Sequence, residues 1–222
     1  MGVLLMLMTI GGLLVAGMML IASIFMRSAW LAKFTVGGVI VWAVFYGAML
    51  LGYSYRSTEK TLGLNEPKEF CGFYLDCHLH VEVTSVRTQK NIGDLSAKGV
   101  YYIVGVRVFS NARNPAIRFR LLAPRAIVED AQGRIYTREE AAERSLPTGG
   151  VDFGGDIEGT ATIEKEIVFD LPVEVAGPRL DIREGYKIDQ LFEAFLIDDE
   201  DSFLHKRTYF NLQPPPTNVD IN

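Results

Sequence analysis

The stretch FCGFYLDCHLHVEVTSV, residues 70–86, decides the fold of the larger part of this chain. From residue 73 it alternates. Phe73, Leu75, Cys77, Leu79, Val81 and Val83 share one face, and Asp76, His78, His80, Glu82 and Thr84 share the other. Successive side chains on an extended backbone point to opposite sides, so period two with one apolar face predicts a half-buried β-strand. Downstream, VYYIVGVRVF (100–109) is apolar on nearly both faces and reads as a central strand. AIRFRLL (116–122), RAIVED (125–130), RIY (134–136), ATIEKEIVFDLP (161–172), RLDI (179–182) and TYFNL (208–212) continue the pattern, with a turn at Ala131-Gln132-Gly133. About eight short strands separated by turn signals predict a β-sandwich. Thr137 and Glu140 have capping-box spacing and predict one helical turn. Residues 148–156 form a Gly-rich loop, and 191–197 are apolar but ambiguous between strand and helix. The tail QPPPTNVDIN is Pro-rich and reads as extended or disordered.

Upstream of this body the composition changes. The first 26 residues contain no Asp, Glu, Lys, Arg or His, and residues 34–53 form a second uncharged run. A spanning helix needs about 20 apolar residues to cross roughly 30 Å of hydrocarbon. Residues 3–26 and 34–53 both meet that length. Backbone amides inside a bilayer have no water to bond, so each run is expected to be helical. The connector, residues 27–33, is short, so the helices should form an antiparallel hairpin. Gly12/Ala16 and Ala43/Gly47 offer small faces for close approach. A cleaved signal peptide followed by one anchor is the competing reading. It lacks a basic stretch before the first run, which is also long for a signal. Residues 54–69 are polar, with Gly63, Asn65 and Pro67, and read as a linker.

The first 53 residues carry only Arg27 and Lys33, which contribute +2 to the total of −5. The remaining 169 residues therefore carry −7. An acidic surface argues against nucleic acid as a partner. Arg27 and Lys33 favour a cytoplasmic connector, whereas Arg56, Lys60 and Lys68 pull the other way. The uncharged N-terminus and the cysteine pair below favour both termini outside the cytoplasm.

KGVYYIVGVRVFSNARNP (98–115), AIVEDAQGRIY (126–136) and IEKEIVFDLP (163–172) carry a resemblance. They resemble, in turn, the long central strand, the Asp/Gly hairpin and the late Leu-Pro strand of the immunoglobulin-like, telokin-like domains. Those domains lie on the extracytoplasmic side of bacterial membrane proteins and lipoproteins, in a family known mainly as a domain of unknown function. The resemblance covers residues 70–212 and implies an immunoglobulin-like sandwich, with no functional residue to carry over. The two-helix anchor departs from the pattern, since many relatives carry a lipidated Cys. FLIDDEDSFLH (195–205) has no place in the pattern either.

Cys71 and Cys77 are the two cysteines, and outside the cytoplasm such neighbours usually pair. The alternative is two free thiols in a reducing compartment. His78 and His80 share a strand face and are the candidate metal ligands, for copper or zinc. Cys77 has the opposite parity, so two exposed histidines on a polar face are the plainer expectation. The acidic run at residues 198–201 would suit calcium by charge but lacks the spacing and glycine of a calcium loop. Ser202, His205 and Asp199 are too close in sequence to assume a catalytic triad. No G-x-S-x-G, H-E-x-x-H or phosphate-loop motif occurs. Arg118, Arg120 and Arg125 could receive an anion or simply form a charged sheet surface.

The expected organisation is two transmembrane helices in residues 1–53, a linker at 54–69, an immunoglobulin-like β-sandwich at 70–212 and a tail at 213–222. The expected role is a non-catalytic envelope protein whose sandwich is an interaction or structural module, without a cofactor. Its expected partners are the lipid bilayer and another envelope protein or a second copy. A metal-binding envelope protein is the alternative, and a hydrolytic enzyme the third reading.

Overall fold

The computed structural model describes residues 2–70, 77–114, 116–147 and 155–213. Two long helices come first, α1 (Gly2–Phe25) and α2 (Ala29–Arg56). Among the described residues, eleven strands and two short helices follow. They are β1 (Lys60–Leu62), β2 (Lys68–Phe70), β3 (Leu79–Ile92), β4 (Leu95–Ser110), β5 (Arg118–Phe119), β6 (Arg125–Glu129), β7 (Ile135–Thr137), α3 (Glu140–Arg144), β8 (Ile157–Glu158), β9 (Thr162–Leu171), β10 (Arg179–Arg183), α4 (Lys187–Glu193) and β11 (Thr208–Asn211). The chain divides into two compact units: Met1–Glu59 with Lys187–Arg207, and Lys60–Tyr186 with Thr208–Asn222.

In the first unit, α1 contains no charged residue and α2 is tied down at its start by Ser28, whose hydroxyl accepts from the Leu31 amide at 3.4 Å. That cap starts α2 five residues before the uncharged run and includes Lys33 in the helix. The helices touch through the Trp42 indole, which donates to the Thr9 hydroxyl at 3.1 Å. Thr9 and Thr35 also bond back to carbonyls one turn earlier, at 2.8 and 2.9 Å, so these polar groups are satisfied. The glycines play a different part from the one expected. A Cβ built on Gly12 or Gly47 meets nothing within 4 Å, so neither is a point of close helix approach. The hairpin is joined by side chains, and its glycines other than Gly2 face open space.

The second unit is a two-sheet sandwich. One sheet has the order β1-β11-β10-β6-β7 and the other β2-β3-β4-β9, with β5 and β8 paired separately. The alternation read in residues 79–83 is realised. Leu79, Val81 and Val83 enter a core with Val104, Val106, Ile167 and Phe169 from their own sheet. Val128, Leu180, Ile182 and Phe210 meet them from the other sheet. Phe169 and Phe210 are fully buried, each contributing about 1.5–3 kcal/mol by removing apolar surface from water. β4 is central, as its two apolar faces require: a second, smaller cluster of Ile92, Tyr101, Ile103, Ala142 and Val168 covers its outer face under α3.

Three elements differ from the sequence reading. The expected linker contains β1, which runs parallel to β11, and β2, which pairs with β3. Thr137 lies in β7 and does not cap α3; Glu139 occupies that position without a side-chain bond. AIRFRLL yields only two strand residues, Arg118 and Phe119. The long pairing of β3 with β4 follows from a two-residue turn at Gly93 and Asp94, where Gly93 takes φ +55°. That hairpin keeps two consecutive long strands in one sheet.

Candidate functional site

The outer face of the β2-β3-β4-β9 sheet carries most of the charged side chains that period two turns outward. Register places Glu82, Arg107 and Glu164 side by side across β3, β4 and β9. Arg107 bonds both carboxylates, Glu82 at 2.6 Å and Glu164 at 2.9 Å. Arg87 pairs with Glu166 one step along the same face. The ladder is a cross-strand charge network, each rung of modest energy.

The strands place the histidines differently from expectation. His78 is half-buried, its Nδ1 2.6 Å from the Asn111 side-chain oxygen and its ring edge-on to Phe119. His80 is a correction: it is 5% exposed, stacked on Phe109 at 5.2 Å, and neither ring nitrogen has a hydrogen-bond partner. β2 and β4 flank it on either side, which the single-strand pattern could not show. Among the described residues no group of three His, Cys, Asp or Glu side chains could hold a metal ion. Cys71 lies outside the described residues, while Cys77 is not a free thiol.

The remaining candidates are engaged within the fold. Arg118 faces Glu158 at 3.6 Å, and Arg120 bonds Asp156 at 2.7 Å. Asp199 accepts from the Asp201 amide at 2.9 Å, and His205 Nδ1 lies 2.8 Å from the Lys206 carbonyl. No side-chain hydrogen bond joins Ser202, His205 and Asp199. Burial pushes the Asp199 carboxyl above its ordinary range. Asp130, nine residues after Leu121, closes the β6–β7 turn. Its carboxylate accepts from the amides of Gln132 and Arg134, the Arg134 guanidinium and the Tyr136 hydroxyl, at 2.6–3.0 Å. Glu143 of α3 is likewise buried against Arg138, at 2.5 Å, and the Val168 amide, at 3.1 Å. These buried carboxylates organise turns and strands.

What the sandwich leaves open is the margin where its two sheets end, between β7 and β9. A cleft of about 650 Å³ lies there, lined by Ile135, Tyr136, Glu139, Leu171, Pro172 and Val173 among others. Ile135 and Val173 are 63% and 75% exposed. Asp170 on its wall is spent holding the Lys98 and Gly99 amides at 2.8 and 2.9 Å. This margin is a concave edge of mixed character, with Lys98, Thr137, Glu139 and Asp170 beside its apolar side chains, and it lies next to the point where Arg138 bridges Phe169 and the Glu139 amide bonds the Val168 carbonyl at 2.7 Å. The sequence reading missed it because it is assembled by sheet packing; the exposed Val173 after Leu171-Pro172 was its one local sign.

No family model matches the sequence, and no curated protein matches it. Among solved structures, the chain is similar to the secreted protein MPT63 of Mycobacterium tuberculosis. The identity is 14%, the TM-score 0.42, and the match covers 58% of this chain and 98% of that one. It is similar to a conserved hypothetical protein of Bacillus anthracis at 13% identity and TM-score 0.41, over 54% of this chain and 89% of that one. An uncharacterized β-sandwich protein of Clostridium difficile matches at 8% identity and TM-score 0.40, over 71% and 97%. Similarity at this level says nothing about ligand, partner or activity.

Proposed function

We propose that this protein is a membrane-anchored, non-catalytic module of the cell envelope. In this reading the α1–α2 hairpin spans the bilayer, with both of its ends on the extracytoplasmic side. The sandwich binds a protein partner along the β7–β9 margin. The carrying observation is the exposure of the hairpin. Both helices are long and apolar enough to cross a membrane, and few of their side chains are buried. In water, two such exposed helices would be an aggregation surface far beyond the patch a soluble monomer tolerates. Exposed Ile135 and Val173 on that margin, beside the edge strands β7 and β9, support partner binding there, with strand addition confined to the stretch beyond the Arg138–Phe169 bridge. The resemblance to telokin-like envelope domains points the same way.

The test has two steps. After alkaline carbonate washing of lysed cells, the full chain should stay with the membrane pellet, and its appearance in the supernatant would defeat the anchoring claim. A photoreactive side chain at Val173 should then give a discrete crosslinked product in intact cells. The same group at Glu158, on the separate β5–β8 pair, should not. Equal or absent crosslinking at both positions would defeat the partner claim.

A further inference from the structure

Residues 187–207 join β10 to β11, two strands that pair directly through Leu180 and Phe210. A short turn would serve such neighbours. Instead the chain makes a long excursion and belongs, as Lys187–Arg207, to the unit that contains α1 and α2. Its contacts there are specific. The Tyr46 hydroxyl donates to the Phe195 carbonyl at 2.6 Å, and the Lys206 amide donates to the Ser57 hydroxyl at 2.8 Å. The backbone of Ile197 lies against Gly2, so close that a Cβ on Gly2 would meet the Ile197 carbonyl oxygen at 2.4 Å. The Phe203 amide bonds the Ala194 carbonyl at 3.0 Å and folds the excursion back on itself.

Ile188, Leu191, Phe192 and Phe195 follow the i, i+3, i+4, i+7 spacing of one helical face across α4 and the turn after it. All four, with Phe203 and Leu204 on the returning strand of chain, are at least half exposed. A folded chain does not gather six large apolar side chains on one surface segment for contact with water. Depth along α2 identifies the solvent they meet. Tyr46 precedes Arg56 by ten residues, about 15 Å of helix, and precedes Tyr53 by about 10 Å. Phe195 therefore sits below the level at which the uncharged run of α2 ends. The Ile197 backbone stands at the first residue of α1, so the excursion also passes the N-terminal end of that helix.

We infer that residues 187–207 form an interfacial membrane element, an amphipathic excursion that lays its apolar side chains into the leaflet on the side of the α2 C-terminus. The occupant of this face is the acyl-chain region of the bilayer. It is continuous with the surface of α2, and its depth of roughly 10 Å is that of an in-plane amphipathic helix. The inference rests on the spanning reading of the hairpin and extends it to a segment distant in sequence.

Full-length chains carrying Phe192→Cys, Leu204→Cys, Val41→Cys or Ile135→Cys, each labelled with a polarity-sensitive fluorophore, test this in phosphatidylcholine vesicles. The unsubstituted chain serves as the labelling blank. Two lipid nitroxides are used, one near the headgroup end of the acyl chain and one near its middle. Labels at 192 and 204 should shift to the blue and lose fluorescence to the shallow nitroxide. The label at 41 should lose it to the deep one, and the label at 135 to neither. A label at Leu191→Cys repeats the measurement independently on the same face. If 41 is quenched while 191, 192 and 204 behave like 135, the interfacial element is overturned and the spanning hairpin stands. If 41 also behaves like 135, the spanning reading fails and this inference falls with it.

Discussion

His80 lies flat on Phe109 with both ring nitrogens unpartnered inside the sheet. An unsatisfied buried polar group costs about 1–3 kcal/mol. His80→Leu should therefore leave stability unchanged or raise it by up to about 2 kcal/mol, read from denaturant melts in detergent. If His80 were a metal ligand, the same variant would instead lose a stoichiometric copper or zinc ion from protein purified without chelators, and would be less stable. His78→Ala, which removes the bond to Asn111, should cost on the order of 1 kcal/mol. Asp130 behaves oppositely. Burial pushes its carboxyl up, but the hydrogen bonds from Arg134, Tyr136 and the Gln132 amide outweigh this and hold it below the usual carboxylate range. A depressed folded pKa contributes stability that is full above the unfolded value, about 3.9, and is lost as pH falls through the folded value. Asp130→Asn should melt at a lower temperature than the parent at neutral pH. The gap should narrow as pH drops below about 4, and a constant gap would contradict the assignment.

At the scale of elements, the β4–β9 pairing leaves no room at one point. A Cβ on Gly99 would meet the Leu171 carbonyl oxygen at 2.0 Å and the Pro172 Cα at 2.9 Å, all backbone that cannot yield. Gly99→Ala should destabilise the sandwich by about 1–3 kcal/mol, with the melting temperature as readout, and a neutral result would mean the strands separate there. Gly133, where a Cβ meets nothing but φ is +76°, should lose less on substitution. Neither requirement is visible in one strand read alone. The sequence shows strands where one face repeats, as in Leu79, Val81 and Val83, and helices where charge vanishes, as in α1. It conceals β1 and β2, because three residues are too few for a period to register, and the partner of β1 lies almost 150 residues away (Lys60 opposite Thr208). It conceals the burial of His80 for the same reason: neighbours in a sheet come from β2 and β4, not from β3. The segment at residues 191–197 was ambiguous because its apolar spacing suits helix while its length suits strand, and its partners, Tyr46 and Gly2, are more than a hundred residues away. The β7–β9 margin is assembled from several elements, so Val173 after Leu171-Pro172 was all that one stretch of sequence could show of it.

For the whole molecule, side of the membrane and redox state are one question. Positive residues flank both ends of the hairpin, so charge counting alone leaves orientation open. The cysteines are tied to the same choice. Cys77 lies two residues before β3, and a bond to Cys71 would close a small loop near the start of that strand, where the entropic gain is small and an oxidising compartment is needed to keep it. The proposed orientation puts the body outside the cytoplasm. Protease added to intact cells should then degrade the sandwich while sparing a cytoplasmic control. Thiol titration of the denatured, unreduced chain should find no reactive cysteine, and two after reduction. The two measurements must agree, because a cytoplasmic body would be both protected from protease and held reduced. Protection together with two free thiols would invert the hairpin, placing the sandwich in the cytoplasm, where the partner would have to be a cytoplasmic protein, and the apolar face of residues 187–207 at the inner leaflet.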